Sequence, residues 1–227
     1  MQLRNRRDAG RLLAERLARH ITEQPVVIAL PRGGVPVGFE IARVLGAQLD
    51  AFAVRKLGAP GHPEYGVGAI AEGGEVVFDE AAARRVGLTG DVRARKLAIE
   101  RRELGRRATA YRGARPMVEV SGRTVIVVDD GLATGLTALA AVRALRALGA
   151  ARVILAVPVA SPEAVERLER EADDVIAVLV PPILRGVGEW YEDFDQVEDD
   201  EVIDLLARSR AQNTGEFHAV TFVDPRD

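Results

Sequence analysis

Residues 125–137 read VIVVDDGLATGLT. Four consecutive apolar residues predict a buried strand, and Asp129 and Asp130 follow at its carboxyl end. Small residues and two threonines, Thr134 and Thr137, then lead into a helical pattern. Ligands of open α/β sheets bind at the carboxyl ends of strands, and the free N–H groups at a helix start attract anions. The segment therefore predicts an anion-binding loop.

The two carboxylates in this segment need a chemical reason, because a phosphate beside them would repel them. Sugar hydroxyl groups supply that reason, since they donate hydrogen bonds that carboxylates accept. A phosphate with vicinal hydroxyl groups one ring away is a ribose 5-phosphate. The segment contains neither the GxxxxGK[ST] pattern of a P-loop nor GxGxxG. The sequence thus argues against a dinucleotide-dependent α/β enzyme.

Short apolar runs alternate with helical patterns along the chain. We predict buried parallel strands at Val26–Leu30, Asp50–Val54, Thr124–Val128, Arg152–Val157 and Asp174–Val180. We predict helices at Val35–Leu45, Thr137–Leu148 and Pro162–Glu171. This alternation is typical of an α/β fold with a parallel sheet flanked by helices.

An insertion separates the second predicted strand from the third. Lys56–Gly68 contains four glycines and two prolines, and it predicts a loop. Ala69–Phe78 predicts a β-hairpin that turns at Gly73–Gly74. Asp91–Tyr111 predicts a long basic helix.

The segment VIVVDDGLATGLT resembles the 13-residue signature of type I phosphoribosyltransferases, which consists of an apolar strand, two acids and a Thr-Gly-rich phosphate loop. A second segment, Ala29–Pro36 (ALPRGGVP), occupies the place of that family's pyrophosphate loop, which often contains a non-proline cis peptide. There Arg32 is expected to pair with a phosphate, and Gly33 and Gly34 would permit unusual backbone angles. The resemblance covers residues from about Arg6 to Ala207. It implies a parallel-sheet core, a flexible loop or hairpin insertion and a small C-terminal hood.

The resemblance also assigns roles outside these two loops. Arg55 and Lys56, at the end of the second strand, would point at the pyrophosphate. The loop after them, which carries His62, Glu64 and Tyr65, would act as a flexible lid that excludes water. Trp190 and Tyr191 would lie in the hood, where an aromatic face can stack on a planar acceptor. An ordinary core role for these two aromatics remains the alternative.

The reaction that the resemblance implies transfers the phosphoribosyl group of 5-phosphoribosyl 1-pyrophosphate (PRPP) to a nitrogen of a nucleobase-like acceptor. The expected catalytic residues are Arg55, Lys56, Asp129 and Asp130. The expected PRPP-binding residues are Arg32, Gly33, Gly34, Asp129, Asp130, Gly131, Ala133, Thr134, Gly135, Leu136 and Thr137. Mg²⁺ would be coordinated mainly by PRPP, and no dedicated protein metal site is expected.

One departure from the family concerns the acceptor. Hypoxanthine-type members carry a third acid in the phosphate loop, which assists at the base. This chain has Ala133 there, as adenine-type members do. The acceptor and its proton donor therefore stay open.

Bulk properties set further expectations. The 227 residues include no cysteine, which excludes a disulfide framework and a cysteine-based zinc site. Their net charge of −3 argues against a general nucleic-acid binder. The charged start of the sequence is not followed by the apolar stretch of a signal peptide, and no apolar run is long enough for a membrane span, so a cytoplasmic protein without membrane contact is expected. We expect one domain over residues 1–208, with the hood at about 181–208, and a tail at 209–227 that is an arm or disordered. A homo-oligomer is expected as well.

The basic segment Asp91–Arg112 keeps a second function open. A regulator that retains the PRPP site as a sensor would bind nucleic acid with this helix. Two solvated helix faces are the ordinary explanation of the basic segment and of the acidic Glu189–Asp204.

Overall fold

A computed structural model describes residues 2–21 and 23–214. The described strands are β1 (Val26–Ala29), β2 (Gln48–Ala51), β3 (Val54–Ala59), β4 (His62–Ala71), β5 (Val76–Phe78), β6 (Thr124–Val128), β7 (Arg152–Val159) and β8 (Asp174–Leu179). The described helices are α1 (Arg6–Leu17), α2 (Gly34–Leu45), α3 (Glu80–Arg85), α4 (Gly90–Arg112), α5 (Leu136–Ala147), α6 (Pro162–Leu168) and α7 (Asp199–Thr214), with a 3₁₀ turn at Val187–Trp190. No helix in the described part is long and apolar enough to cross a membrane.

The main sheet has five parallel strands in the order β2-β1-β6-β7-β8. Its three inner strands, β1, β6 and β7, are buried on both faces, because alternate residues face opposite layers of the fold. Val26 and Ile28 of β1 pack in the core that contains α5, whereas Val27 and Ala29 pack with α1, α2 and α7. This arrangement confirms the predicted α/β fold, and it places the carboxyl ends of β1 and β6 side by side.

The strands and helices of the core were predicted within a few residues. The structure gives β6 the predicted bounds and starts α2 and α5 one residue earlier than predicted. The second predicted strand is displaced, because β2 ends at Ala51 and Val54 begins a different strand. The predicted long helix is α4, which extends to Arg112.

The loop predicted at Lys56–Gly68 is wrong. These residues form most of an antiparallel hairpin, β3 and β4, that turns at Pro60–Gly61 and joins β5 in a second sheet. The glycines serve strand packing: a Cβ on Gly58 would overlap the backbone of Pro63 on the facing strand. The predicted turn at Gly73–Gly74 is present, with φ of 87° and 97° at these residues.

Three helices were not predicted: α1, α3 and α7, the last of which begins within the predicted hood. Helix α7 runs to Thr214, so the first six residues of the predicted tail at 209–227 are helical. The arm or disorder expected of the tail stays a prediction, because residues 215–227 lie outside the described residues.

Candidate active site

The phosphate-loop segment connects β6 to α5 as expected. Gly135 precedes the helix with φ of 71°, a backbone conformation that favours glycine, and α5 begins at Leu136. The segment borders a cavity of about 160 Å³, whose other walls are glycines of β4, Lys56 and Val187. A loop that leads into a helix start beside such a cavity can bind a phosphate.

Helix α6 supports the loop from behind. The hydroxyl group of Ser161, its N-cap residue, donates to the carbonyl of Ala133 at 2.7 Å and accepts from the amide of Ala164. Arg167 of the same helix donates to the carbonyl of Thr134. The loop carbonyls are thus held by α6. Neither Ser161 nor Arg167 was identified from the sequence as a site residue.

Asp129 and Asp130 lie side by side at the end of β6. The amide of Asp130 donates to Oδ1 of Asp129 at 2.9 Å, and both side chains are partly buried. Burial, together with the neighbouring charge of Asp130, raises the pKa of Asp129 well above its ordinary value. Burial also raises the pKa of Asp130, although Arg6 opposes this shift. Two such carboxylates offer acceptors for ribose hydroxyl groups.

Arg6, at the start of α1, was not identified from the sequence as a site residue. Its Nε donates to Oδ2 of Asp130 at 2.8 Å, and its Nη1 donates to the carbonyl of Asp195 at 2.7 Å. Its guanidinium carbon lies 3.8 Å from the ring centroid of Phe194. No sequence motif marks this pairing, because 124 positions separate Arg6 from Asp130.

The predicted pyrophosphate loop follows β1, and its Pro31–Arg32 peptide bond is cis. The expected reason for its glycines is wrong, since Gly33 has an ordinary right-handed conformation (φ −62°) and Gly34 begins α2. The glycines are needed for room. A Cβ on Gly33 would overlap Oδ2 of Asp130, and one on Gly34 would lie 2.5 Å from the carbonyl oxygen of Val128. The two loops therefore touch through these glycines.

The structure separates the basic residues that the sequence grouped together. Arg55 and Lys56 are adjacent in β3 and so point to opposite faces. Lys56 lines the cavity of the phosphate loop, whereas Arg55 forms an ion pair with Glu100 of α4 at 2.8 Å. Arg32 pairs with Glu198 at 3.2 Å. Lys56 is thus brought to the phosphate loop, and Arg55 is not.

The aromatic residues of the hood pack together beside the acid pair Asp129–Asp130. Tyr191 is buried, and its hydroxyl group donates to the carbonyl of Asp130 at 2.6 Å. Its ring lies 4.9 Å from that of Phe194, and Trp190 packs in the same apolar cluster. Tyr191 therefore holds the backbone at Asp130 and does not present an open face for stacking. Trp190 packs in the apolar core of the hood, which is the alternative role that the sequence left for both aromatics.

The beginning of the chain completes the hood. The amide of Leu3 donates to the carbonyl of Trp190, and the amide of Glu192 donates to the carbonyl of Leu3, each at 2.8 Å. The amide of Asp193 donates to the carbonyl of Arg4 at 2.9 Å. Sequence reasoning assigned the hood to residues 181–208 alone, because backbone pairing between distant segments leaves no local pattern.

Comparisons with known proteins agree with this geometry. A crystal structure of TT1426 from Thermus thermophilus is 48% identical, with a TM-score of 0.77 over 92% of this chain and 99% of that one. Two Mycobacterium tuberculosis proteins, MT0597 of strain CDC 1551 / Oshkosh and Rv0571c of strain ATCC 25618 / H37Rv, are provisionally named phosphoribosyl transferases. Each is 45% identical over 208 residues, which is 90% of this chain. This chain spans 46% of the length of either relative. The model of the phosphoribosyl transferase domain matches residues 2–189, and the chain belongs to that family.

Proposed function

We propose that the protein transfers the phosphoribosyl group from PRPP to a nitrogen of a nucleobase-like acceptor and releases pyrophosphate. One observation carries the proposal. Lys56 lines the cavity of the phosphate loop, and the acid pair Asp129–Asp130, which directly precedes that loop, contacts the Gly33–Gly34 loop where the carboxyl ends of β1 and β6 lie side by side. Each group matches one part of PRPP: the 5-phosphate, the ribose hydroxyl groups and the pyrophosphate.

The residues would act mainly by positioning and by charge. Backbone N–H groups and hydroxyl groups of residues 134–137 would hold the 5-phosphate. Asp129 and Asp130 would accept hydrogen bonds from the ribose hydroxyl groups, and their negative potential would favour the cationic C1 centre of the transition state. Lys56 would stabilise the departing pyrophosphate.

Arg32 would join this group only after a side-chain movement. In the structure its guanidinium pairs with Glu198, whose side chain is mostly exposed. An exposed ion pair contributes little energy, so a pyrophosphate can replace Glu198 at small cost. Arg55, which pairs with the nearly buried Glu100, would anchor the hairpin to α4 instead.

Magnesium fits as an ion that arrives with the substrate. Within residues 2–21 and 23–214, no group of three or more metal-ligating side chains lies together. Mg²⁺ keeps several waters and binds readily to phosphate oxygens. When bound with PRPP, it would neutralise charge on the pyrophosphate.

The alternative of a PRPP sensor that binds nucleic acid gains little from α4. Many of its cations are matched by acids on the protein itself: Arg93 pairs with Glu80, Lys96 with Glu100, and both Arg106 and Arg107 with Glu103. The helix therefore offers a less positive surface than its composition indicates.

The decisive experiment measures pyrophosphate release from PRPP and Mg²⁺ against a panel of nucleobases and small heterocycles. Release that depends on one compound would establish the transferase and identify its acceptor. PRPP binding without release would favour the sensor. Asp130→Asn and Thr134→Ala should each weaken PRPP binding about tenfold in calorimetry, with unchanged folding by circular dichroism. The site assignment fails if both variants bind PRPP like the unmodified protein.

A further inference from the structure

The side chain of Arg6 joins three parts of the molecule that are far apart in sequence. It donates to the side chain of Asp130 at 2.8 Å and to the backbone carbonyl of Asp195 at 2.7 Å, and its guanidinium carbon lies 3.8 Å from the ring centroid of Phe194. Only 11% of the Arg6 side chain and 18% of the Asp130 side chain are exposed. The ion pair is thus largely shielded from water, where a charge-assisted hydrogen bond is strong.

The contact selects one oxygen of the carboxylate. Arg6 binds Oδ2 of Asp130, the same oxygen that a Cβ on Gly33 would overlap. Oδ2 is therefore enclosed between Arg6 and the predicted pyrophosphate loop. Oδ1 lies outside this hydrogen bond, so the ion pair fixes the orientation of the carboxylate without using both of its acceptor oxygens.

The charges around Asp130 give the ion pair a second effect. Asp129 lies beside it, Tyr191 of the hood donates to its backbone carbonyl, and Arg6 is the cation in direct contact with its side chain. Burial raises the pKa of Asp130 and Arg6 lowers it. Only the ionised carboxylate is a pure acceptor, so Arg6 favours the form that can receive ribose hydroxyl groups.

We propose that Arg6 is the positioning residue of the ribose-binding carboxylate Asp130, and that it couples the hood to the donor site. The segment before Arg6 and the hood form one hydrogen-bonded unit, because Leu3 pairs with Trp190 and Glu192 through the backbone. Arg6 then transmits the position of that unit to Asp130. The inference rests on the proposed function, since it assigns Asp130 to the ribose of PRPP.

The test compares Arg6→Met, Arg6→Lys and a control, Arg11→Met. Arg11 lies on the same helix and forms ion pairs with Asp8 and Glu40, away from the acidic loop. PRPP affinity is measured by calorimetry with Mg²⁺ across a pH series, and thermal unfolding is recorded for each variant. Arg6→Met should weaken PRPP binding about tenfold or more. The acid limb of its binding profile should move to higher pH, because Asp130 loses the cation that keeps it ionised.

Arg6→Lys should bind PRPP more tightly than Arg6→Met but less tightly than the unmodified protein. The acid limb of its binding profile should lie close to that of the unmodified protein, because an ammonium group keeps the charge but not the forked contact with Asp195. Arg11→Met should bind PRPP normally. The inference is overturned if Arg6→Met binds PRPP like the unmodified protein, or if its weaker binding comes without a shift of the acid limb. Absence of PRPP binding in the unmodified protein would instead overturn the proposed function, and this inference with it.

Discussion

At the scale of single residues, Gly33 shows how two loops share one site. Its backbone conformation suits any residue, yet a Cβ on Gly33 would overlap the carboxylate of Asp130. We expect Gly33→Ala to push Asp130 away from Arg6 and to lower PRPP affinity at least about tenfold, since the carboxylate contact is charge-assisted. Calorimetry with PRPP and Mg²⁺ measures this loss.

The matched control for Gly33→Ala is Gly186→Ala. Gly186 lies in the hood region with extended backbone (φ −162°), and a Cβ there would meet nothing within 4 Å. It should leave PRPP affinity and folding unchanged. Equal affinity of the Gly33 and Gly186 variants would contradict the close approach of the two loops.

Residue by residue, the sequence predicted those parts of the site that follow one another along the chain. Asp129, Asp130 and the loop to Thr137 are recognisable because strand end, acids and helix start are contiguous. Arg6 and Tyr191 contact Asp130 from 124 and 61 positions away, and such contacts arise only when the whole fold brings the segments together. Arg6 stands in no local pattern that marks a ligand site, and the sequence placed Tyr191 in the hood without indicating its contact with Asp130.

At the scale of elements, the β3–β4 hairpin presents two faces with different tasks. Lys56 faces the phosphate loop, and Arg55 faces α4 through its ion pair with Glu100. We expect Lys56→Met to weaken PRPP binding about tenfold, as the loss of a phosphate-directed cation should. Arg55→Met should lower the free energy of unfolding by about 2 kcal/mol, because it leaves Glu100 with Lys96 alone.

The same two variants serve as controls for each other. Calorimetry with PRPP and urea unfolding are recorded for both. A larger loss of PRPP affinity in Arg55→Met than in Lys56→Met would show that the side chains do not keep the faces they have in the structure. The sequence alone treated the pair alike, because the loop prediction for Lys56–Gly68 removed the alternation that separates neighbours in a strand.

The glycines of this hairpin explain why that element was mispredicted. Gly58, Gly66 and Gly68 each lie against atoms of another strand or of Lys56 that a Cβ would crowd. Glycine-rich composition is typical of loops, but it also permits close strand packing. Composition cannot distinguish these two uses. Strands β1, β6 and β7 gave no such ambiguity, because their apolar runs fit burial on both faces.

At the scale of the whole molecule, the fold lowers the pKa of one carboxyl group, Glu40, and raises that of another, Asp129. Burial alone would raise the pKa of Glu40, but hydrogen bonds from Arg43 and Arg7 lower it below its ordinary value of 4.5. Its side chain is 1% exposed. A carboxylate with a lowered pKa stabilises the fold above its unfolded-state pKa, and this contribution is lost as the pH falls through the folded-state pKa.

Glu40→Gln should therefore lower the free energy of unfolding by about 2 kcal/mol near neutral pH, since it removes charge-assisted hydrogen bonds to a buried group. Urea unfolding of the variant should also depend less on pH below about 4.5 than that of the unmodified protein. PRPP binding should stay unchanged, because Glu40 lies in α2 away from the cleft. An equally steep loss of stability in acid would contradict this assignment.

For the acid pair Asp129–Asp130, stability changes with pH in the opposite direction to that expected for Glu40. Because burial and Asp130 raise the pKa of Asp129, its contribution to stability is present at low pH and is lost as the pH rises through the raised value. Asp129→Asn keeps the acceptor that receives the amide of Asp130 but cannot ionise. The variant should gain about 1 kcal/mol of stability over the unmodified protein as the pH rises from about 4 to 8, while it loses PRPP affinity. Urea unfolding and calorimetry on the same samples measure both effects. A variant that is less stable than the unmodified protein throughout this range would show that ionisation of the acid pair does not destabilise the fold. A variant that binds PRPP normally would remove Asp129 from the proposed site.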